Sequence, residues 1–127
     1  THVWSYFSGN PGALLGSALS PAGDVNNDGY DDVLLGAYLY ESNDDLQGEG
    51  RAYLFTGSAS GLGAEPVWSV YGGAAFAYLG WAVTGAGDLD GDGYDDVAVS
   101  ANRCTALVIS SSRTAHGWAS APSCWMA

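Results

Sequence analysis

Two short stretches of the chain gather oxygen donors at matched intervals. The first is Asp24-Val25-Asn26-Asn27-Asp28-Gly29-Tyr30-Asp31-Asp32, with side-chain oxygens at loop positions 1, 3, 5 and 9 and glycine at 6. The second repeats the scheme with Asp88, Asp90, Asp92, Gly93, Tyr94 and Asp96. The tyrosine at position 7 can offer its carbonyl. Nine of the fourteen acidic residues fall in these two nine-residue windows. Carboxylates crowded this closely repel one another unless a cation neutralises them. Hard oxygens on a tight loop suit Ca²⁺, which takes six to eight oxygens at about 2.3–2.6 Å. Mg²⁺ is smaller and keeps its waters, so it is the second choice. Neither loop has a His or Cys, which disfavours zinc and copper.

Asp/Asn/Gly-rich turns also occur without a metal. Two copies at a fixed period, each with four matched oxygen positions, weigh against that bland reading. An EF-hand needs a bidentate Glu at position 12 and flanking helices. Position 12 here is Leu35 and Val99, and residues 33–37 and 97–101 read as strands. The loops therefore join two strands. Asp31 and Asp95, at position 8, are expected to face solvent or brace neighbours.

The elements that must hold these loops repeat with them. Shifted by 64, residues 3–37 match residues 67–101 at 18 of 35 positions without a gap. β-branched, aromatic and apolar runs alternate with Gly, Asn, Asp, Ser and Pro clusters. The expected strands are Val3–Phe7, Ala13–Ser20, Val33–Tyr38, Arg51–Thr56, Val67–Tyr71, Ala77–Thr84, Val97–Ala101, Thr105–Ser110 and Cys124–Met126. No segment sustains a 3.6-residue amphipathic period with caps, so no long helix is expected.

About four strands per unit is the arithmetic of a propeller blade. The fold class is therefore all-β: two four-stranded propeller-type blades, completed by oligomerisation or part of a longer propeller. Residues 1–12 form a surplus outer strand and lead-in, 13–76 the first blade, and 77–127 the second, more divergent toward its end. An outer strand whose own blade is missing would suit a neighbouring chain, since unpaired edges seek partners.

Composition excludes several functions. Three Arg, no Lys and a net charge of −11 make the chain a poor match for a phosphate backbone or an anionic membrane. Sixteen aromatic residues argue against disorder. No run of eighteen apolar residues exists to insert in a bilayer. The only Met is Met126, so the chain reads as a processed product or a piece of something longer. Cys104 and Cys124 permit one disulfide or two half-buried thiols. His2 and His116 are isolated, and no nucleophile motif or phosphate-cradling loop appears. The chain is therefore read as non-enzymatic. Trp4, Trp68 and Trp125 share one repeated place and read as packing residues. Trp81 and Trp118 are either exposed platforms or locally buried rings.

The unit resembles the FG-GAP repeat, the blade of the integrin α-subunit β-propeller and of many bacterial surface proteins. The likeness rests on Leu15-Gly16, Asp24 through Asp32 and Gly36-Ala37, and on Leu79-Gly80 and Asp88 through Val97. It implies two Ca²⁺ sites, each between the first two strands of a blade. The ligands it implies are Asp24, Asn26, Asp28, Asp32 and the Tyr30 carbonyl, then Asp88, Asp90, Asp92, Asp96 and the Tyr94 carbonyl. The family's Phe-Gly is Leu-Gly here both times. Its Gly-Ala-Pro is Gly36-Ala37-Tyr38 and then Ser100-Ala101-Asn102. These departures bear on blade-to-blade contacts.

Three functions remain open. One is a calcium-stabilised module for extracellular or cell-surface recognition or assembly, its partners being neighbouring blades of a longer chain, further copies in a homo-oligomer, or a protein ligand. The second, by resemblance, is a lectin binding a glycan between blades. The third is an accessory part of a secreted polysaccharide-acting enzyme. The first loop has three ligand carboxylates and neutral Asn26, whereas the second has four. More ligand charge raises Ca²⁺ affinity, so the second loop is expected to bind more tightly. In isothermal titration, Asp92→Ala should lose more total affinity than Asp28→Ala; the reverse order contradicts the expectation.

Overall fold

The computed structural model describes residues 4–101 and a final strand at 107–109. The described residues contain no helix. β1 (Ala18–Gly23), β2 (Asp32–Ala37), β3 (Arg51–Phe55) and β4 (Trp68–Tyr71) form an antiparallel meander in sequence order. β5 (Val83–Gly87), β6 (Asp96–Val99) and β7 (Leu107–Ile109) form a second sheet in the same manner. The expected strand Cys124–Met126 lies outside the described residues.

Period-2 alternation sorts each strand into two faces. Leu34, Ala52, Leu54 and Val70 point one way and meet Leu79, Val97, Val99 and Ala101 of the second unit in one buried cluster. Leu35, Ala37, Tyr53 and Phe55 point the other way. That second face is covered by the lead-in: the Trp4 and Tyr6 rings each lie 4.9 Å from the Phe55 ring. Trp4 Nε1 also donates to the Gly63 carbonyl at 2.8 Å.

Three expected strands differ. Residues 4–7 of the expected strand Val3–Phe7 form no ladder; they are held by ring contacts and the Trp4 bond. The strands expected from Ala13 and Ala77 begin later, at Ala18 and Val83. Turns come first, because Gly16 and Gly80 adopt φ values of 86° and 91°, in the left-handed region a strand cannot use. The apolar residues before each strand belong to those turns.

The turn at Leu79-Gly80 joins the two sheets. Leu79 is fully buried and donates its N–H to the Glu49 carbonyl at 3.1 Å. The Gly80 carbonyl sits so close to Gly36 that a Cβ there would collide with it. Leucine in place of the family's phenylalanine thus still makes the contact between sheets.

Tyr53 is fully buried, and its hydroxyl has no hydrogen-bond partner. The Arg51 guanidinium stacks 4.6 Å over its ring, 4.5 Å from that of Tyr71 and 5.1 Å from that of Tyr40. Burial pushes the Tyr53 pKa up from 10.0 to about 12. The folded chain therefore holds this proton more firmly than the unfolded chain. The resulting stability is complete below pH 10.0 and is lost as pH rises through about 12. Tyr53→Phe should leave the urea midpoint nearly unchanged near neutral pH, since no hydrogen bond is lost. The same substitution should lessen the alkaline loss of stability; an identical alkaline decline in both proteins would refute this.

Candidate metal centre

Each acidic loop follows a glycine at an irregular step in the ladder. Pairing skips from Pro21 to Gly23 in β1 and from Gly85 to Gly87 in β5. Such a bulge bends the strand. Gly23 and Gly87 take φ values of 74° and 73°, and the chain turns into residues 24–31 and 88–95.

The loops then fold around their own carboxylates in the same way. Asp24 accepts the N–H groups of Asp28 at 3.0 Å and Gly29 at 2.8 Å. Asp88 accepts those of Asp92 and Gly93 at the same two distances. Asp28 accepts Tyr30 N–H at 3.0 Å, and Asp92 accepts Tyr94 N–H at 2.9 Å. Gly29 and Gly93, at φ 90° and 91°, make the turn that an L-residue would resist.

The position-9 aspartates, Asp32 and Asp96, are fully buried. Asp32 accepts Val25 N–H at 2.8 Å and Gly57 N–H at 2.9 Å. Asp96 accepts Leu89 N–H at 2.8 Å. These two side chains fasten each loop to its sheet.

The second loop gathers Asp88, Asp90 and Asp96, with one carboxylate oxygen from each lying within 4.8 Å of the others. Two ligands on opposite sides of one Ca²⁺ would stand about 4.6–5.2 Å apart, twice the bond length. The trio therefore fits a single calcium ion. Asp92 stands outside the trio. The matching trio in the first loop is Asp24, Asn26 and Asp32, with only two carboxylates. The remaining expected ligands, Tyr30 and Tyr94, lie on the same loops at position 7.

The electrostatics show the crowding. Loss of water raises the Asp90 pKa; the Asp92 N–H bond opposes this, while the Asp92 side chain and the charge of Asp96 raise it further. Burial raises Asp32, with the Asp28 and Asp24 charges adding to it, against N–H bonds from Gly57 and Val25. Asp88 is lowered, chiefly by the Gly93 N–H. A cation at the trio would favour the ionised form of all three of its carboxylates.

Two carboxylates outside the expected ligand set also have structural roles. Asp95 Oδ2 accepts the Asp24 N–H at 2.8 Å, and Asp95 N–H donates to the Asp24 carbonyl at 3.2 Å. Of the two expected fates for position 8, Asp95 thus braces the neighbouring loop, whereas Asp31 is exposed. Glu49, almost fully buried, accepts Ser42 N–H at 2.8 Å and Gly73 N–H at 3.1 Å. The repeat singled out the position of Asp95; no local signal singled out Glu49. Both His and both Cys lie outside the described residues.

Residues 22–99 match the FG-GAP-like repeat. The chain belongs to the FG-GAP repeat family. FG-GAP repeats are propeller blades, so the two sheets are successive blades of the integrin-like type. Human integrin alpha-6 is 36% identical over 92 residues, covering 72% of this chain and 7% of that protein. Integrin alpha-PS5 of Drosophila melanogaster is 34% identical over 107 residues, covering 77% of this chain and 10% of that protein. Human integrin alpha-10 is 36% identical over 107 residues, covering 82% of this chain and 9% of that protein. The chain thus spans a tenth or less of each of these relatives.

Removing Asp32 leaves two main-chain donors without their acceptor, so Asp32→Ala should cost about 2–4 kcal/mol even with a chelator present. Asp28→Ala frees only an exposed N–H that water can satisfy, and should cost less than about 1 kcal/mol under the same conditions. Urea unfolding of both variants checks the difference.

Proposed function

We propose that the chain is a calcium-stabilised part of an integrin-like β-propeller, acting outside the cell in recognition or assembly and not as a catalyst. The observation that carries this reading is the Asp88, Asp90 and Asp96 trio within 4.8 Å, repeated in outline by Asp24, Asn26 and Asp32. The ion would also draw on Asp28 and Asp92 and on the Tyr30 and Tyr94 carbonyls. It supplies positive charge among carboxylates that the loop brings close together. The blade units are taken as 13–76 and 77–127, with 1–12 as lead-in. Among the described residues, no helix is long and apolar enough to cross a membrane.

The far side of the second blade supports a further blade as partner. Val25 is buried between the blades, while its counterpart Leu89 is 59% exposed. Gly23 receives the Asp95 carboxylate, while the space at Gly87 is open. Beside them an apolar hollow of about 130 Å³ is lined by Ala82, Val83, Thr84, Ala98, Val99 and Ser100. Two substitutions favour a blade of a longer chain over a second copy. Close approach at Gly36 needs no side chain, yet its counterpart is Ser100; Gly85 approaches Pro21 closely, and its own counterpart is Pro21. A copy meeting a copy cannot repeat the internal junction.

A lectin is the second reading. Trp81 is 53% exposed, with its ring 4.7 Å from Tyr38 and 6.4 Å from Tyr78. These rings offer a platform on which a sugar could stack.

Thermal unfolding with and without calcium tests the main reading. For dissociation constants of about 10⁻⁴–10⁻³ M, near 10 mM calcium should add about 1.4–2.7 kcal/mol per site. The melting temperature should rise by several degrees and fall back with chelator. Asp90→Ala should lose part of the gain. A melting temperature indifferent to calcium would end this reading, and glycan binding by the calcium-loaded chain would favour the lectin.

A further inference from the structure

The two acidic loops meet through one side chain. Asp95 belongs to the second loop, yet its carboxylate accepts the N–H of Asp24, the first residue of the first loop, across 71 positions of sequence. The return bond from Asp95 N–H to the Asp24 carbonyl makes the link two-way. Gly23 leaves room for it, since a Cβ there would run into the Asp95 carboxylate. Asp95 is half-buried, and Asp24 beside it is half-buried as well, whereas Asp31 and Asp88 at the corresponding outer positions are exposed.

We infer that Asp95 couples calcium binding at the two loops, so that an ion in the second loop raises the affinity of the first. The inference rests on the calcium reading above. Asp95 lies between Tyr94 and Asp96, two proposed ligands of the second ion. An ion there fixes the main chain on both sides of Asp95 and so fixes its carboxylate. That carboxylate holds the N–H of Asp24, whose own side chain accepts the Asp28 and Gly29 N–H groups. The order imposed by the second ion therefore reaches the residue that organises the first loop. Ordering already present need not be supplied by the first ion, which is the condition for positive coupling. Linkage makes the effect reciprocal.

Asp95 itself is a positioning residue, and calorimetric calcium titration of the whole chain can isolate its part. In the wild-type background, Asp90→Ala should weaken the remaining first-loop site by about fivefold or more. In an Asp95→Ala background, adding Asp90→Ala should leave that site unchanged. Asp95→Asn keeps an oxygen for the Asp24 N–H and should keep the coupling, whereas loss of charge alone would affect Asp95→Asn and Asp95→Ala equally. Melting curves in saturating calcium check that each variant folds; if Asp95→Ala does not, Asp95→Ser, too short to reach Asp24, takes its place. Two ions bound independently by the wild type would overturn the coupling and leave the calcium reading intact. So would equal coupling with and without the Asp95 carboxylate, or its loss in Asp95→Asn. No calcium uptake at all would remove both readings.

Discussion

A carboxylate taken out of water must be surrounded by donors, and that requirement organises this chain. Asp32 and Asp96 are fully buried where loop meets sheet. Each is satisfied by main-chain N–H groups of the loop it closes, at Val25 and Leu89. Asp32 also reaches Gly57, just beyond β3, and so ties the loop to the neighbouring strand at the same end of the sheet. Leaving such a group unpaired would cost several kcal/mol. The loop path is therefore not free to vary. Once the position-9 aspartate is buried, the chain between it and the bulged glycine must bring its N–H groups around. The other aspartates of the loop then fall into place along the turn. Glu49 works by the same rule at the opposite ends of the strands, where it joins the segments around Ser42 and Gly73.

The second constraint is how closely two blades can approach. Their shared cluster mixes Leu34, Leu54, Val97 and Val99 with Ala22, Ala52 and Ala101. Small residues bring the sheets near enough for backbone contact, and Gly36 and Gly50 mark where the approach is tightest. Gly50 bridges Leu79 directly. Overfilling such a site costs about 1–3 kcal/mol, because main chain cannot step aside as a flexible side chain can. The aromatic side of the first blade is different. There Tyr53 and Phe55 are large, and the lead-in covers them with rings rather than backbone.

What could be read from the sequence follows from this division. The loops were legible because their oxygen side chains and glycine recur at matched positions within nine residues, and the 64-residue repeat showed the pattern twice. β2, β3, β4 and β6 were legible because their β-branched, aromatic and apolar runs lie between turn-forming clusters, and β2, β3 and β6 are largely buried. The lead-in was not: Trp4 and Tyr6 have strand-like composition, but they are placed by Phe55 and Gly63, which lie far along the chain. The starts of β1 and β5 were misplaced because Gly16 and Gly80 read as small sheet residues, whereas they adopt left-handed turns. Asp95 and Glu49 could be seen as acidic residues, but their partners at Asp24 and Gly73 are set only by tertiary packing. Local spacing encodes what a loop can hold; it does not encode which neighbour the loop leans on.

The two loops also separate shape from charge. Their internal N–H bonds agree to within 0.1 Å at every matched aspartate of positions 1 and 5. Asp90 in place of Asn26 therefore keeps these shared bonds, accepts the Asp92 N–H at 3.2 Å as well, and adds a third negative charge to the trio. Main-chain donors shape the turn in both loops. What differs is the repulsion that remains, because Asp90 adds a carboxylate beside Asp92 and Asp96 where the first loop has neutral Asn26. A cation has more to relieve in the second loop than in the first. Because Asp95 leans from that loop onto Asp24, the loop with the larger electrostatic need is also the one that supports its neighbour.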